Sequence, residues 1–228
     1  MTDQVYMLPV IETFVSIQGE GPKTGVPTIF VRLMGCNFAM ESHACKWCDS
    51  KYAGTVDENT FQSIDQIKEN INHMTLRTGI QEVCLTGGEP LYHPVRELAN
   101  WLSSFHRLTV QTNGSYLLWQ LGERGSWAMD IKGPSSGNSK YNKYENFRIL
   151  SPKDSVKFVI QTKEDFEFAK SVLNINPVVC QVFFQPAWKL LPLATLWEWV
   201  LQDSRELNYV KVGTQLHKVA YPKRVRGV

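Results

Sequence analysis

The segment from Glu82 to Leu102, EVCLTGGEPLYHPVRELANWL, contains a strand pattern, a turn and a helix pattern in direct succession. Its first residues, Glu82 to Leu85, form a short β-rich run that ends at a Gly-Gly pair. Apolar residues then recur at i, i+3, i+4 and i+7, at Val95, Leu98, Ala99 and Leu102. This spacing places them on one face of a helix, so the segment is predicted to be a strand–turn–helix unit.

The same alternation continues along the chain. Further β-rich runs lie at Thr28 to Met34, Leu108 to Thr112, Trp127 to Ile131, Val156 to Ile160, Val178 to Phe184 and Tyr209 to Val212. Helical patterns lie at Ser63 to Met74, at Leu193 to Leu207, and from a capping box at Thr162 to Asp165 through Leu173. Strands that alternate with helices predict an α/β fold with a largely parallel sheet. In such folds the chemistry gathers at the carboxyl ends of the strands.

Composition limits the class of protein. The 228 residues carry a formal net charge of +2, with 43% hydrophobic and 20% charged residues, which suits one globular domain spanning residues 1–228. The near-neutral charge does not require a nucleic-acid or membrane partner, and no secretory signal is visible, so we expect a cytoplasmic protein. The odd number of cysteines argues against a disulfide framework. Cys84 and Cys180 have apolar neighbours, and both are expected to pack in the core.

The other three cysteines lie close together in one loop after a strand. Cys36, Cys45 and Cys48 include a C-x-x-C pair, and clustered thiols of this kind favour a metal site over unliganded cysteines. Three thiolates can bind three irons of a 4Fe-4S cluster and leave the fourth iron open. Addition of His43, from the same loop, would instead give a Cys3His zinc site. Spacing alone leaves both possibilities open.

Two motifs resemble the radical S-adenosylmethionine (SAM) superfamily. The run Cys45-Lys46-Trp47-Cys48 resembles the end of its cysteine motif, although eight residues separate Cys36 from Cys45 where three are usual. The turn Thr86-Gly87-Gly88-Glu89-Pro90 resembles its GGE motif, which binds the amino group of SAM. The resemblance implies an abbreviated, partial (β/α) barrel with an expanded cluster loop at residues 36–48. Its missing walls would come from that loop, the C-terminal tail or a second subunit.

A narrower resemblance begins near Thr13 and runs to the C-terminus. Its segments are Ser16 to Gly21, Gly25 to Pro27, Ile29 to Arg32, Cys48 to Ser50, Asp130 to Gly137, Gln185-Pro186 and Gln215 to Lys218. Together with the GGE turn they resemble the 7-carboxy-7-deazaguanine synthase family of radical SAM enzymes. The implied reaction is a carbon–nitrogen lyase reaction, the radical ring contraction of 6-carboxy-5,6,7,8-tetrahydropterin to 7-carboxy-7-deazaguanine with loss of ammonia.

The resemblance also implies the roles of individual residues. The 4Fe-4S cluster would be held by Cys36, Cys45 and Cys48, and Mg²⁺ by Ser50. SAM would contact Trp47, Gly87, Gly88, Glu89, Gln111, Thr112, Asn113, Asp130, Lys132 and Gln185. The pterin would contact Ile17, Gln18, Gly19, Glu20, Arg32, Thr86, His217 and Val228. Arg32 suits this role because its planar guanidinium can bind a carboxylate with two parallel hydrogen bonds, but it needs a partner if buried.

The implied partners are the pterin, a reductase or flavodoxin-type electron donor, and a second copy of the chain in a homodimer, with no nucleic acid and no membrane. Trp188, Trp197 and Trp199 belong to an apolar stretch that could be core or dimer surface. Two alternatives remain. One is a radical SAM activating enzyme that generates a glycyl radical on a partner protein. The other is a Cys3His zinc-stabilised RNA-binding module that uses His43 and the basic tail.

Overall fold

The computed structural model describes residues 6–224 and 226–227, and its strands form one nine-stranded sheet. The strands are β1 (Met7–Ile17), β2 (Pro27–Leu33), β3 (Phe61–Ser63), β4 (Glu82–Gly87), β5 (Arg107–Thr112), β6 (Gly125–Ile131), β7 (Ser155–Ile160), β8 (Gln181–Pro186) and β9 (Val210–Val212). Their spatial order is β3-β1-β2-β4-β5-β6-β7-β8-β9. Strands β2 and β4 to β9 are parallel, whereas β1 is antiparallel to β2 and β3. The predicted α/β class with a largely parallel sheet is confirmed.

The helices follow the predicted pattern with one exception. They are α1 (Asn37–Met40), α2 (Ile64–Thr78), α3 (Arg96–Phe105), α4 (Lys163–Ile175), α5 (Leu193–Gln202), α6 (Ser204–Leu207) and α7 (Leu216–Ala220). Capping boxes at Ser63 and Thr162 open α2 and α4. The single helix predicted for residues 193–207 is interrupted at Asp203, which leaves the helical conformation while its carboxylate binds Lys170 of α4. Every described helix is too short or too polar to span a lipid bilayer.

The barrel is abbreviated because two of its connections lack an α-helix. In the described residues, β5 joins β6 through residues 113–124 without an α-helix, and β6 joins β7 through residues 132–154, which contain only short 3-10 turns. Strands β1 and β3 were not predicted. Both pair antiparallel at one end of the sheet. The three residues of β3 are too few for a periodic signal, and Pro9 and the register shift between Val10 and Glu12 disturb the alternation in β1. The predicted run at 178–184 forms a strand only from Gln181 onward.

Alternation of side chains gives the parallel strands two different faces. One face is apolar and packs against the helices as the main core, through Ile29, Val31, Leu33, Val83, Leu85, Leu108, Val110, Met129, Val156, Phe158, Val182 and Phe184. The opposite face presents one polar residue from each of six neighbouring strands: Arg32, Thr86, Gln111, Asp130, Lys157 and Gln185. The helices therefore cover the apolar face, and the polar face lines a cavity.

The loop between β1 and β2 (residues 18–26) and the C-terminal segment (residues 213–224) together form a wall of this cavity. The backbone N–H of Leu216 donates to the carbonyl oxygen of Gly19 at 3.0 Å. The carboxylate of Glu20 accepts from Lys157 of β7 at 2.5 Å, and it also accepts from Gln215 at 2.7 Å. These contacts connect opposite ends of the sheet, so two segments of this chain supply part of the wall that the short barrel lacks.

The GGE turn at the end of β4 requires glycine for two reasons. Gly87 has φ +141°, a conformation that side chains rarely adopt, and a Cβ there would lie 2.1 Å from the carbonyl oxygen of Leu33 on β2. A Cβ on Gly88 would lie 2.3 Å from the carbonyl oxygen of Gly35. Both obstructing atoms belong to the backbone and cannot move aside as a flexible side chain could. The turn therefore packs directly against the start of the cluster loop.

We predict that Gly87→Ala lowers the free energy of unfolding by at least about 2 kcal/mol, because backbone strain and steric overlap add together. Gly79→Ala is the matched control, since Gly79 also has a positive φ (+74°) but has open space around its Cβ position. The control is expected to cost only about 1 kcal/mol. Urea denaturation followed by circular dichroism measures both changes. Equal losses for the two variants would contradict the close approach at Gly87.

Candidate active site

A cavity of about 590 Å³ opens at the carboxyl ends of the parallel strands. It brings together residues from the cluster loop, the GGE turn, the β1–β2 loop and the C-terminal segment. The predicted residues that line it are Ile17, Gln18, Gly19, Glu20, Arg32, Cys36, Cys45, Trp47, Cys48, Ser50, Thr86, Gly87, Gly88, Gln111, Thr112, Asn113, Asp130, Lys132, Gln185 and His217. Of the remaining two predicted residues, Glu89 lies behind the wall and Val228 falls outside the described residues.

The three thiols of the cluster loop are partly buried and line the same cavity. Burial raises the pKa of the Cys36 and Cys48 thiols. The amide nitrogen of Asn113 lies 3.8 Å from Cys36 Sγ, and that of Asn138 lies 3.3 Å from Cys45 Sγ. Three thiols that line one cavity, with hydrogen-bond donors around them and no fourth cysteine in the loop, suit a 4Fe-4S cluster, which they would hold with its fourth iron open to a ligand.

The expansion of the cluster loop has a structural explanation. Its extra residues include the helical turn α1, whose Phe38 is fully buried. The ring of His43 stacks on Tyr141 with 4.7 Å between the ring centroids, and Tyr141 also packs against Phe38. These contacts attach the loop to the segment that follows β6.

The geometry of His43 does not support the Cys3His zinc alternative. Its Nδ1 lies 2.9 Å from Oδ1 of Asn138, and its Nε2 lies 3.1 Å from a carboxylate oxygen of Glu41. Both ring nitrogens are therefore directed at acceptors within the protein, whereas a metal-binding nitrogen must be unprotonated and directed at the metal. Within residues 6–224 and 226–227, no three His, Cys, Asp or Glu side chains converge as a single metal ion would require.

Glu89 of the GGE turn lies behind the cavity wall, which differs from the predicted contact with SAM. Its carboxylate is fully buried and accepts from the Leu91 backbone N–H at 2.9 Å, the Thr112 hydroxyl at 2.8 Å and the Asn113 backbone N–H at 2.5 Å. Thr112 and Asn113 line the cavity. Glu89 therefore holds the ends of β4 and β5 together and positions residues that reach the cavity.

Four largely buried charged side chains form a chain across the cavity wall, with 10–19% of each exposed. We refer to Lys132, Asp130, Lys157 and Glu20 as the charge chain. Asp130 binds Lys132 at 2.7 Å and Lys157 at 3.1 Å, and Lys157 also binds Glu20 at 2.5 Å. Burial alone lowers the pKa of Lys157, but the charges of Asp130 and Glu20 raise it above its ordinary value. All four groups are therefore ionised at neutral pH. Lys157 therefore connects Asp130, which is predicted to contact SAM, to Glu20, which is predicted to contact the pterin.

Sequence reasoning missed Lys157, although a signal was present. Lys157 is a charged residue inside the apolar run Val156 to Ile160. Because side chains alternate between the two faces of a strand, it lies on the face opposite the buried Val156 and Phe158.

Asp49 was also not predicted as a site residue. It lines the cavity and accepts from Gln215 at 2.7 Å and Lys218 at 2.5 Å, which ties the cluster loop to the C-terminal segment.

Arg32 has the partner that its burial requires. Its Nε donates to Glu12 at 2.7 Å, and its guanidinium lies 5.5 Å from the ring centre of Phe14 and 5.9 Å from that of Tyr52. These contacts fix the plane of the guanidinium and, as far as residues 6–224 and 226–227 show, leave the terminal nitrogens available to an anionic group. Ser50 lies beside the cluster loop, with its hydroxyl oxygen 3.9 Å from Cys48 Sγ.

Comparison with known proteins identifies the class. Residues 32–166, more than half of the chain, match the radical SAM superfamily. The chain therefore belongs to that superfamily, which implies a 4Fe-4S cluster and SAM. Curated 7-carboxy-7-deazaguanine synthases from Clostridium acetobutylicum and Koribacter versatilis are 34% and 32% identical to it. These alignments cover 96% and 97% of this chain, and 98% and 100% of the relatives. Within the superfamily, the chain belongs to the 7-carboxy-7-deazaguanine synthase family.

A solved structure supports the fold. The crystal structure of QueE from Escherichia coli matches with a TM-score of 0.71 at 22% identity, covering 92% of this chain and 95% of that one. The predicted family and the abbreviated radical SAM fold are thus confirmed.

We predict that Glu89→Gln lowers the free energy of unfolding by about 1–3 kcal/mol, because an amide N–H then faces one of the three donors that Glu89 accepts from. Glu97→Gln, on the exposed side of α3, is the control and is expected to change stability by less than about 0.5 kcal/mol.

The effect of Glu89→Gln is expected to depend on pH. Burial raises the pKa of Glu89 to about 7, from 4.5 for a solvated glutamate. The stability that Glu89 contributes is therefore fully present below about pH 4.5 and is lost as the pH rises through about 7. The advantage of the wild type over Glu89→Gln should accordingly shrink between about pH 5 and pH 8. An advantage that stays constant over this range would show that Glu89 is already ionised at pH 5.

Proposed function

We propose that this chain is a lyase that converts 6-carboxy-5,6,7,8-tetrahydropterin to 7-carboxy-7-deazaguanine with loss of ammonia. One observation carries the proposal. The cluster loop, the GGE turn and the β1–β2 loop, which are far apart in sequence, line the same cavity. The names of the curated relatives support the choice of substrate and product.

Residues on one side of the cavity suit SAM and the cluster. When bound, these cofactors supply a 5′-deoxyadenosyl radical after transfer of one electron. Cys36, Cys45 and Cys48 hold the cluster. The backbone of the GGE turn lines the same cavity at Gly87 and Gly88, where it suits the amino group of SAM. Asp130 offers a carboxylate to the same ammonium group, in addition to the polar groups of Gln111, Thr112, Asn113, Lys132 and Gln185 along the wall.

Residues on the opposite side suit the pterin. Arg32 donates to the substrate carboxylate through the nitrogens that Glu12 leaves free. Gln18 and Glu20 face the cavity as acceptors for the guanidine-like edge of the ring, and His217 lies beside Gly19. Thr86, whose hydroxyl donates to Gln111 at 2.7 Å, lies between the two sides. The role implied for Val228 concerns a residue outside the described part of the chain.

Lys157 is a positioning residue for this substrate site. Lys157 and Gln215 each donate to a different oxygen of the Glu20 carboxylate, so its plane is fixed before substrate arrives. The positive charge of Lys157 lowers the pKa of Glu20 below its ordinary value despite burial, which otherwise raises it. Glu20 is therefore held as an oriented acceptor.

The metal ion and the compartment complete the proposal. Ser50 would ligate Mg²⁺, a hard cation that needs few protein ligands and keeps several waters. Its hydroxyl lies at the cavity wall next to Cys48, where such an ion would also reach the substrate carboxylate.

The proposed compartment is the cytoplasm. A reducing, cytoplasmic location suits five cysteines that are all free thiols.

The protein partners proposed are a reductase or flavodoxin-type electron donor and a second copy of the chain. Trp199 packs against Phe166, so it belongs to the core, and Trp188 lines the cavity. Trp197 and Leu201, one helical turn apart on α5, are 52% and 70% exposed. These two side chains support a homodimer through α5, which a monomer in sedimentation velocity would contradict.

An anaerobic assay tests the proposed reaction. Protein with a reconstituted cluster is incubated with SAM, dithionite, Mg²⁺ and 6-carboxytetrahydropterin, and products are identified by mass spectrometry. We expect 7-carboxy-7-deazaguanine, a slower rate when Mg²⁺ is removed by a chelator, and no SAM cleavage by alanine variants of Cys36, Cys45 or Cys48. Cys84→Ala is the control: Cys84 is fully buried away from the cavity lining, so iron content should be unchanged.

The outcomes of this assay separate the parts of the proposal. Cleavage of SAM without the deazaguanine product would reject the substrate but retain the radical SAM class. Failure to bind a cluster would reject both. A rate that is indifferent to the chelator would reject the role of Ser50.

We further predict that Lys157→Met raises the KM for the pterin at least about tenfold, which corresponds to 1.4 kcal/mol of binding, because Glu20 loses its fixed orientation. SAM cleavage without pterin should change less, since Asp130 keeps Lys132 as a partner. Lys157→Arg should restore much of the KM. Lys153→Met is the control, because the hydrogen bonds of its ammonium group to described residues go to two backbone carbonyls, including that of Gly122, at the amino ends of the strands. A KM unchanged in Lys157→Met would exclude the positioning role.

A further inference from the structure

Asn138 is a buried polar residue that neither the sequence motifs nor the proposed reaction uses. It lies in the turn-rich segment after β6, and only 1% of its surface is exposed. Its side chain reaches His43 and Cys45 of the cluster loop, 95 and 93 residues earlier in the chain, through three hydrogen bonds. A buried amide with every donor and acceptor directed at one loop indicates a specific role there.

The orientation of the Asn138 amide follows from its partners. The carbonyl oxygen of His43 can only accept, so the atom 3.1 Å from it must be the amide nitrogen. The amide oxygen then accepts from Nδ1 of His43 at 2.9 Å. The same nitrogen lies 3.3 Å from Cys45 Sγ, so its second N–H is directed at the thiol.

Each thiol of the cluster loop has its own hydrogen-bond donors. Cys36 accepts from the backbone N–H groups of Phe38 and Ala39, and Cys48 from that of Ser50. Cys36 also has a donor from outside the loop, the amide nitrogen of Asn113, but that nitrogen lies 3.8 Å from Sγ, against 3.3 Å between Asn138 and Cys45. Asn138 belongs to a different element, so its contact also fixes where Cys45 lies relative to β6.

We propose that Asn138 is a positioning residue that holds Cys45 and donates a hydrogen bond to its thiolate, thereby raising the reduction potential of the cluster. The cluster becomes more negative when it accepts an electron, and an N–H dipole directed at a ligand sulfur stabilises the reduced form more than the oxidised form. The inference rests on the cluster part of the proposed function and is independent of the pterin. Lys132 supplies a nearby positive charge as well, which variants at position 138 leave in place.

The test is the midpoint potential of the reconstituted cluster, measured by a redox titration followed by electron paramagnetic resonance. Asn138→Asp keeps the size of the side chain and the acceptor for His43 but removes the donor to Cys45. Asn138→Ala removes the side-chain hydrogen bonds without adding charge. Both variants should shift the potential to more negative values, with the larger shift in Asn138→Asp because it adds an anionic group beside the thiolate.

Asn146→Asp is the matched control. Asn146 has the same 1% exposure and lies in the same connection between β6 and β7, but its side chain bonds to the backbone of Leu118 and Tyr116 rather than to a thiol. It should lose stability without a shift in potential.

The remaining outcomes are distinguishable. Loss of the cluster from folded Asn138 variants, with the cluster retained in Asn146→Asp, would support the role of Asn138 in holding Cys45. An unchanged potential and iron content in both Asn138 variants would overturn the inference, and so would unfolding of both beside a folded control, since Asn138 would then act on the fold alone. A wild-type protein that binds no cluster would instead reject the proposed function.

Discussion

The ammonium group of Lys157 lies between the carboxylates of Glu20 and Asp130, and the arrangement of the cavity depends on this interaction. Two carboxylates that leave water at this depth would otherwise carry a large desolvation cost and shift toward their neutral forms. Lys157 offsets that cost for both. Because Glu20 belongs to the β1–β2 loop and Asp130 to β6, the same cation connects a loop at one end of the sheet to the strands at its centre. The wall that an abbreviated barrel lacks is held in place by charge.

The two faces of the sheet explain why a short barrel suffices. The apolar face is buried by α2, α3, α4 and α5, which supplies most of the hydrophobic core. The polar face needs no helices, because its residues pair with one another or face the cavity. The connections that lack an α-helix lie on either side of β6, and the segment after β6 is used to anchor the cluster loop. The segment after β6, which contains no α-helix, therefore supports the cluster loop instead of covering the sheet.

The expanded cluster loop needs more support than a short loop would. A long loop loses more conformational entropy when it is fixed, so its thiols need additional contacts. Phe38 supplies a buried anchor, the His43 ring stacks on Tyr141, and Asn138 binds the loop beside Cys45. Gly87 and Gly88 bring the GGE turn against the beginning of the same loop. The cluster loop is therefore held from two directions by elements that adjoin the cavity.

The alternation of strands and helices, the cysteine loop and the GGE turn could be predicted from the sequence, because period, spacing and motif are local properties. The family resemblance added the site residues, and all of them except Glu89 and Val228 line the cavity. Tertiary structure decided which polar groups meet. Arg32 pairs with Glu12 across an antiparallel strand pair that was not predicted, Glu89 turns away from the cavity to join two strand ends, and His43 bonds to Asn138 instead of a metal. Each contact joins residues that are separated by 20 or more positions. No local pattern can specify such a contact, since it depends on strand register and on the cost of burying a group without a partner.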